Sequence, residues 1–244
     1  MHTMRTITLI LLGCVAGAAS VLAGLILWLG AVVGTAIAMT LAAALVTVYV
    51  LVVGPWQRRW GATAAEVTRR LPGDEILPVE APTTTRAITI EATPDAVFPW
   101  LLQIGYGRGG WYSYDWIDND GKPSVEGIDP ALRLEPGDRI EMLPGFGPVV
   151  REIEPPHHIV SAGDHDSWCL LVEPIGDGRS RLLSRWRQDW PKTVATRLWI
   201  CIVDPGAFVM EQKMLRDIRK LAERSPASLP NGPSDVIHIA RSNP

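Results

Sequence analysis

The sequence predicts an α+β fold: a curved antiparallel sheet of about six strands around a long C-terminal helix, preceded by a two-helix transmembrane hairpin. Three observations carry this. Residues 6–57 contain no Asp, Glu, Lys, Arg or His, more than twice the ~20 apolar residues that one helical bilayer crossing needs. Residues 139–190 break into short β-branched and aromatic runs separated by Pro/Gly turns, the signature of consecutive strands. Residues 207–224 carry an apolar stripe of Ala207, Met210, Met214, Ile218 and Leu221 opposite a charged face, which defines an amphipathic helix.

The apolar region divides at residues 30–35 (G-A-V-V-G-T) into spans at about 6–29 and 36–53, with Gly54-Pro55 closing the second. Gly13/Gly17 and Gly30/Gly34 have the spacing that lets helices approach closely, the second pair also reading as the turn. Trp56 and Trp60 bracket Arg58 and Arg59, an aromatic-plus-basic anchor of the kind found at membrane interfaces. Arg5 is the only charged residue before Arg58, and the inter-helix turn has none. The positive-inside rule therefore expects a hairpin with both termini in the cytoplasm. A cleaved leader over residues 1–23 is the competing reading, but cleavage there would leave a long apolar run attached.

The remaining chain has 22 basic and 26 acidic residues, a net charge of 22 − 26 = −4. With no basic run it does not fit a nucleic-acid binder. The three cysteines, Cys14, Cys169 and Cys201, lie far apart and form no C-x-x-C, which argues against a disulfide framework.

Residues 58–83 read as a juxtamembrane helix (61–71) and a Pro-rich, semi-rigid spacer. A domain over 84–225 and a disordered tail over 226–244 follow, the tail rich in Pro, Ser, Asn and Gly. Residues 84–91 alternate as a strand. Thr93 and Pro94 start a short helix carrying Val97, Trp100, Leu101 and Ile104, with Gly105 at its C-terminal side. Pro99 in its second turn predicts a kink or a tightened start. Gly107, Arg108, Gly109 and Gly110 then lead into Trp111, Tyr112, Tyr114 and Trp116, a pattern suited to a glycine-hinged lid. Such rings bury their apolar body and leave a polar tip for water or ligand; ordinary core is the competing role for Trp111 and Trp116. The acidic run at Asp115, Asp118, Asn119 and Asp120 lacks the spacing of a calcium loop, so no metal and no cofactor are expected. His157, His158, His165 and Asp166 fall in turns, and residues 197–203 fit either strand or helix.

Four stretches resemble the SRPBCC superfamily, which includes START-like, polyketide-cyclase-like and birch-pollen-allergen-like helix-grip domains. They are P-G-D-E (72–75), T-T-R-A-I-T-I-E-A-T-P-D-A-V-F-P-W-L-L-Q (84–103), R-G-G-W-Y-S-Y-D-W (108–116) and D-P-G-A-F-V-M-E-Q-K-M-L (204–215). The second is specific for the fold, while R-G-G-W-Y-S-Y and F-V-M-E-x-K-M-L within the last two look like a bacterial, membrane-anchored subgroup of undescribed function, which implies an inner-membrane location. The resemblance implies an apolar cavity between sheet and C-terminal helix that holds a lipid, polyketide or steroid. It supplies no shared catalytic motif.

The expected function is thus a membrane-tethered binding or transport module for an apolar, lipid-like ligand. Its ligand-binding candidates are Trp100, Arg108, Trp111, Tyr112, Tyr114, Trp116, Met210, Met214 and Ile218; its partners are the lipid bilayer and the ligand. One alternative is a cyclase- or dehydratase-type enzyme using Tyr114, Asp115 or His165 for proton transfer. Another is a structural or assembly protein whose core is filled.

Overall fold

The computed structural model describes residues 2–191 and 193–224, so the tail expected at 226–244 lies outside the described residues. Two helices come first: α1 (His2–Leu29) and α2 (Ala31–Val48), the latter continuing through a π-helical turn (Tyr49–Val53) into α3 (Gly54–Arg58). Each arm is 28 residues long, about 42 Å of helix and enough to cross a bilayer with its headgroups. Apolar side chains point outward along both, with Leu27 87%, Trp28 83% and Val32 83% exposed.

Gly30 alone makes the turn, at φ 81°, and residues 31–35 are already helical. The expected six-residue loop is absent because a helical hairpin needs just one residue in the left-handed region here. Gly34 packs instead: a Cβ there would stand 2.6 Å from the Leu25 carbonyl oxygen. Nor does Gly54-Pro55 end the second arm. Proline removes one amide donor and crowds the carbonyl four residues back. The wider π turn just ahead of Pro55 absorbs that crowding, and the helix runs on.

The sheet has five strands: β1 (Thr83–Ile90), β2 (Val149–Glu154), β3 (His158–Ala162), β4 (Asp166–Pro174) and β5 (Ser180–Gln188). All pairs are antiparallel in the order β1-β5-β4-β3-β2. The sixth strand expected near residues 139–143 is reduced to single bridges, Arg139 to Val149 and Leu143 to Phe146. The turn 144–147 folds this segment onto itself, leaving no ladder to extend. Residues 194–203 are helical, not a strand, and belong to α7 (Val194–Arg224), which continues through Pro205.

Strand alternation divides the buried residues into two layers. Ile88, Ile90, Ile159, Trp168, Leu170, Val172 and Leu182 face inward, onto helix α5 (Pro94–Leu101) and onto Met214, Leu215, Ile218 and Ala222 of α7. Leu71, Ala87, Val160, Cys169, Leu171 and Leu183 form a second cluster on the opposite face.

That second cluster exists because the linker is not a spacer. Helix α4 (Ala64–Thr68) starts with a capping box between Thr63 and Glu66 and lies on the outer face of the sheet. Three arginines of β5, Arg181, Arg185 and Arg187, hold it down. Arg181 Nε donates to Glu66 Oε1 at 2.7 Å, and Arg185 donates to Asp74 Oδ2 at 2.7 Å and to the carbonyls of Glu66 (2.6 Å) and Arg69 (2.8 Å). Arg187 Nη2 donates to the Pro78 carbonyl at 2.6 Å. An irregular segment leaves carbonyls unpaired, and the five-donor guanidinium fork satisfies several at once.

Candidate ligand site between the cap and the C-terminal helix

Residues 105–127 form a cap over one end of the sheet–helix interior. Gly105 and Gly110 pair as a bridge that closes a small loop, and helix α6 (Asp115–Asp118) follows. The glycines serve close approach. A Cβ at Gly109 would lie 2.7 Å from the Gln103 carbonyl oxygen, and one at Gly110 (φ +91°) 2.3 Å from Ser124 Oγ. Buried Gln103 ties the cap together. Its Nε2 donates to the Tyr112 hydroxyl (2.6 Å) and the Gly127 carbonyl (3.0 Å), and its Oε1 accepts from the Asp129 amide (3.1 Å). Asp115 accepts from the Ser124 hydroxyl and amide at 2.6 and 3.0 Å.

The residues named from sequence fall into three groups. Trp100, Trp111, Tyr112, Met214 and Ile218 are buried in the main core. Tyr114, Asp115 and Met210 are half-buried at its rim, where Lys213 Nζ lies 5.5 Å from the centre of the Tyr114 ring and Ser113 Oγ donates to the Met210 carbonyl at 3.0 Å. The others stand apart. Trp116 is 51% exposed, Arg108 folds back to the Leu102 carbonyl at 3.4 Å, and exposed His165 sits 5.4 Å from the Trp190 ring on the β3–β4 connection. Tyr114 and Asp115 are therefore together, and His165 is not with them.

Sequence reasoning missed three members of the interior. Trp168 stacks on Trp186 with centroids 4.7 Å apart and on Trp111 at 6.0 Å, while its Nε1 donates to Ser184 Oγ at 2.8 Å. Ser161 pairs with Trp168 across β3 and β4. Strand parity places Trp168, Leu170 and Val172 on one face, a signal that would have found the first. Most polar atoms of this interior are paired, and three are not. The Nε1 of Trp100, the Nε1 of Trp111 and the hydroxyl of Ser161 are buried without a hydrogen-bond partner. Each such orphan costs about 1–3 kcal/mol.

The third missed residue is Asp118, which is 4% exposed. Burial, reinforced by the nearby Asp115 charge, pushes its pKa up to about 7. Burial also pushes the Tyr112 phenol up to about 12, against the lowering influence of the Gln103 bond.

Outside the packed interior, a cleft of about 270 Å³ separates the cap from the last turns of α7. Tyr112, Ser113, Asp115 and Ser124 form one wall; Lys213, Asp217, Lys220 and Arg224 form the other. Asp217 bridges the two lysines, bonding Lys213 and accepting from Lys220 Nζ at 2.9 Å. Tyr112 belongs to both the core and the cleft wall, and its backbone sits at φ 53°. A bulky residue rarely adopts that conformation, and such strain concentrates at functional sites.

Among the described residues one cluster has metal-ligand chemistry. Glu152, Glu154 and His158 bring their ligand atoms within 4.8 Å of one another on the outer face of the sheet. His158 Nε2 lies 3.2 Å from Glu152 and Nδ1 3.6 Å from Glu154, so both ring nitrogens already face a carboxylate.

No family model matches the chain, and no curated protein matches it in sequence. Solved structures do. It is similar to protein SSP2350 from Staphylococcus saprophyticus, with 10% identity, TM-score 0.37, and coverage of 59% of this chain and 93% of that one. The Polyketide_cyc-like protein Cgl2372 from Corynebacterium glutamicum aligns at 17% identity, TM-score 0.31, covering 60% and 94%. The Aha1 dimer from Colwellia psychrerythraea aligns at 14% identity, TM-score 0.30, covering 57% and 98%. At these scores the likeness carries no argument. The fold class rests on the sheet and helix themselves: an α+β protein with an antiparallel five-stranded sheet, a long C-terminal helix and two apolar N-terminal helices.

Proposed function

We propose that the protein is a membrane-anchored binding module for an apolar, lipid-like ligand that carries at least one polar group. The observation that carries this reading is the set of orphaned polar atoms in the indole-lined interior: Trp100 Nε1, Trp111 Nε1 and Ser161 Oγ. A purely structural core gains nothing by leaving donors unsatisfied, whereas a ligand's carbonyl, carboxyl or hydroxyl group would satisfy them. The cleft is the mouth. Its volume is close to the ~300 Å³ lower end of ligand pockets, so it admits a polar head while the apolar body displaces Tyr112 and enters the core.

Anchoring is supported by the two apolar arms of 28 residues and by Trp56 and Arg59 exposed at their end. Helix α1 contacts α6, α2 folds back along α1 from the turn at Gly30, and the end of α2 leads into the domain. Both ends of the hairpin are thus on the domain's side, as a cytoplasmic location of both termini in an inner membrane requires. A reporter fused after Pro244 is expected to be active in the cytoplasm alone.

A structural or assembly role is the second reading, favoured by near-complete burial of Trp100, Trp168, Leu170, Leu215 and Ile218. Titrating delipidated full-length protein with a fluorescent fatty acid and a fluorescent phospholipid separates the two. Saturable binding, weakened by Ser161→Ala, supports the binding module; no saturable binding of either probe supports the structural role.

A further inference from the structure

Asp204 joins the helix that enters the core to the arm that enters the hairpin. Its carboxylate accepts hydrogen bonds from Gln57 Nε2 at 2.8 Å and from the Tyr49 hydroxyl at 3.3 Å. Tyr49 lies eight residues inside the end of the uncharged stretch, which closes at Gln57. Asp204 is therefore level with the last turns of the apolar arm.

Helix α7 does not begin there. Ten further helical residues, 194–203 (V-A-T-R-L-W-I-C-I-V), precede Asp204. They span about 15 Å, too short to cross a ~30 Å hydrocarbon layer and of a length that suits its boundary. Six consecutive residues, 198–203, are apolar in sequence, and Arg197 precedes them. Apolar surface continues around the junction, where Val203 is 40%, Val209 46% and Trp56 56% exposed.

We infer that residues 194–203 lie in the lipid interface beside the hairpin, as a third contact between this chain and the bilayer. The inference rests on the reading of α1 and α2 as membrane helices. Its occupant is lipid because the exposed Val203, Val209 and Trp56 adjoin the end of the apolar hairpin, and exposed Arg59 beside Trp56 supplies the aromatic and basic pair that marks a headgroup boundary. The arrangement puts the two ends of α7 in different places, one in lipid and the other at the cleft. A ligand leaving the bilayer would then meet the same helix that walls its binding site.

The test uses the full chain in vesicles of equal parts phosphatidylcholine and phosphatidylglycerol. A nitroxide is placed at Cys201 in a Cys14→Ser background; Cys169 is buried, its thiol pushed up to about 12 by burial, and stays unlabelled. A second label at Val203→Cys, with Cys201→Ser, guards against a local disturbance. Leu41→Cys on the hairpin and Asp177→Cys, whose side chain is 89% exposed, are the lipid and water references. Oxygen collisions should exceed those of a water-soluble nickel complex at 201 and 203, with a ratio several-fold above that at 177 and comparable to that at 41. A water-like ratio at 201 and 203 with a lipid-like ratio at 41 would overturn this inference and leave the anchor standing. A water-like ratio at 41 as well would overturn both. Labels at 201 and 203 shielded from both reagents would show protein rather than lipid covering the helix, and would also overturn it.

Discussion

The side-chain amide of Gln103 donates a 2.6 Å hydrogen bond to the hydroxyl of Tyr112. This bond holds the ring edge-on to Trp100, with centroids 6.0 Å apart, and keeps a strained backbone at φ 53° in place. It closes the interior at the point where the cleft meets the core. Gln103→Ala removes this tie together with those to Gly127 and Asp129. A loss of about 2–3 kcal/mol is expected, measurable by denaturant unfolding, with faster exchange of a bound fluorescent lipid. Tyr112→Phe should cost about 1 kcal/mol, because Gln103 Nε2 keeps the Gly127 carbonyl.

Arg86 and Glu211 form an ion pair whose side chains are 3% and 9% exposed. Arg86 Nε also donates to the Gln57 carbonyl at 3.0 Å, so the pair links β1, α7 and the end of the hairpin. Removing one partner strands a buried charge. Glu211→Ala or Arg86→Ala should lose about 3–5 kcal/mol, whereas the double change Arg86→Met with Glu211→Leu should lose far less. Thermal unfolding of the four proteins in the same detergent reads this. Equal losses in the single and double variants would show that the pair is not a closed unit.

Two carboxyl groups give opposite pH dependences. Asp118 has a folded pKa of about 7 against an ordinary 3.8, so the folded state holds a proton that the unfolded chain releases. Its contribution is present below pH 3.8 and is lost as pH rises towards 7. The difference corresponds to at most on the order of 4 kcal/mol, and Asp118→Asn should raise Tm at pH 8 while changing little at pH 4. Glu66 is opposed by its burial, yet the Arg181 hydrogen bonds, the Thr63 amide and hydroxyl, and the Arg181 charge bring it down from 4.5 to about 2. Its contribution is present above pH 4.5 and is lost as pH falls towards 2. Glu66→Gln should therefore lower stability at pH 8 by about 2 kcal/mol and have no effect near pH 2. A Tm for Asp118→Asn that tracks the unmodified protein across pH 4–8 would contradict the assignment.

Gly34 is the residue that lets α1 and α2 approach. Gly34→Leu should separate the arms, because its Cβ would stand 2.6–2.9 Å from backbone atoms of Leu25 and Ile26. Reduced crosslinking between cysteines placed at residues 26 and 33 would report this.

Periodicity made much of this architecture legible. Alternation in 84–91 and stripe spacing in 207–224 identify β1 and the core half of α7 because one buried face imposes period 2 or 3.6. Other features depend on contacts distant in sequence. The Pro-rich segment 72–82 looks like a spacer until two arginines more than a hundred residues away hold it, Arg185 on the Asp74 carboxylate and Arg187 on the Pro78 carbonyl. Residues 198–203 are apolar at every position, so periodicity cannot separate strand from helix. At the site, the aromatic run showed which residues cluster but not how they face. Trp111 and Tyr112 are adjacent, yet Trp111 stacks on Trp168 while Tyr112 meets Trp100 and the cleft. Orphaned atoms such as Ser161 Oγ leave no trace in sequence, since serine is an ordinary strand residue. Only the packing around it shows that its hydroxyl has no partner.

Native mass spectrometry of the full-length protein, released from detergent without prior delipidation, tests the central claim most directly. A retained small molecule of lipid mass, at one per chain and depleted in the Ser161→Ala variant, is the predicted result. Protein that emerges at its bare mass, and that also takes up no added fatty acid or phospholipid, would contradict a binding function and leave the aromatic interior as core.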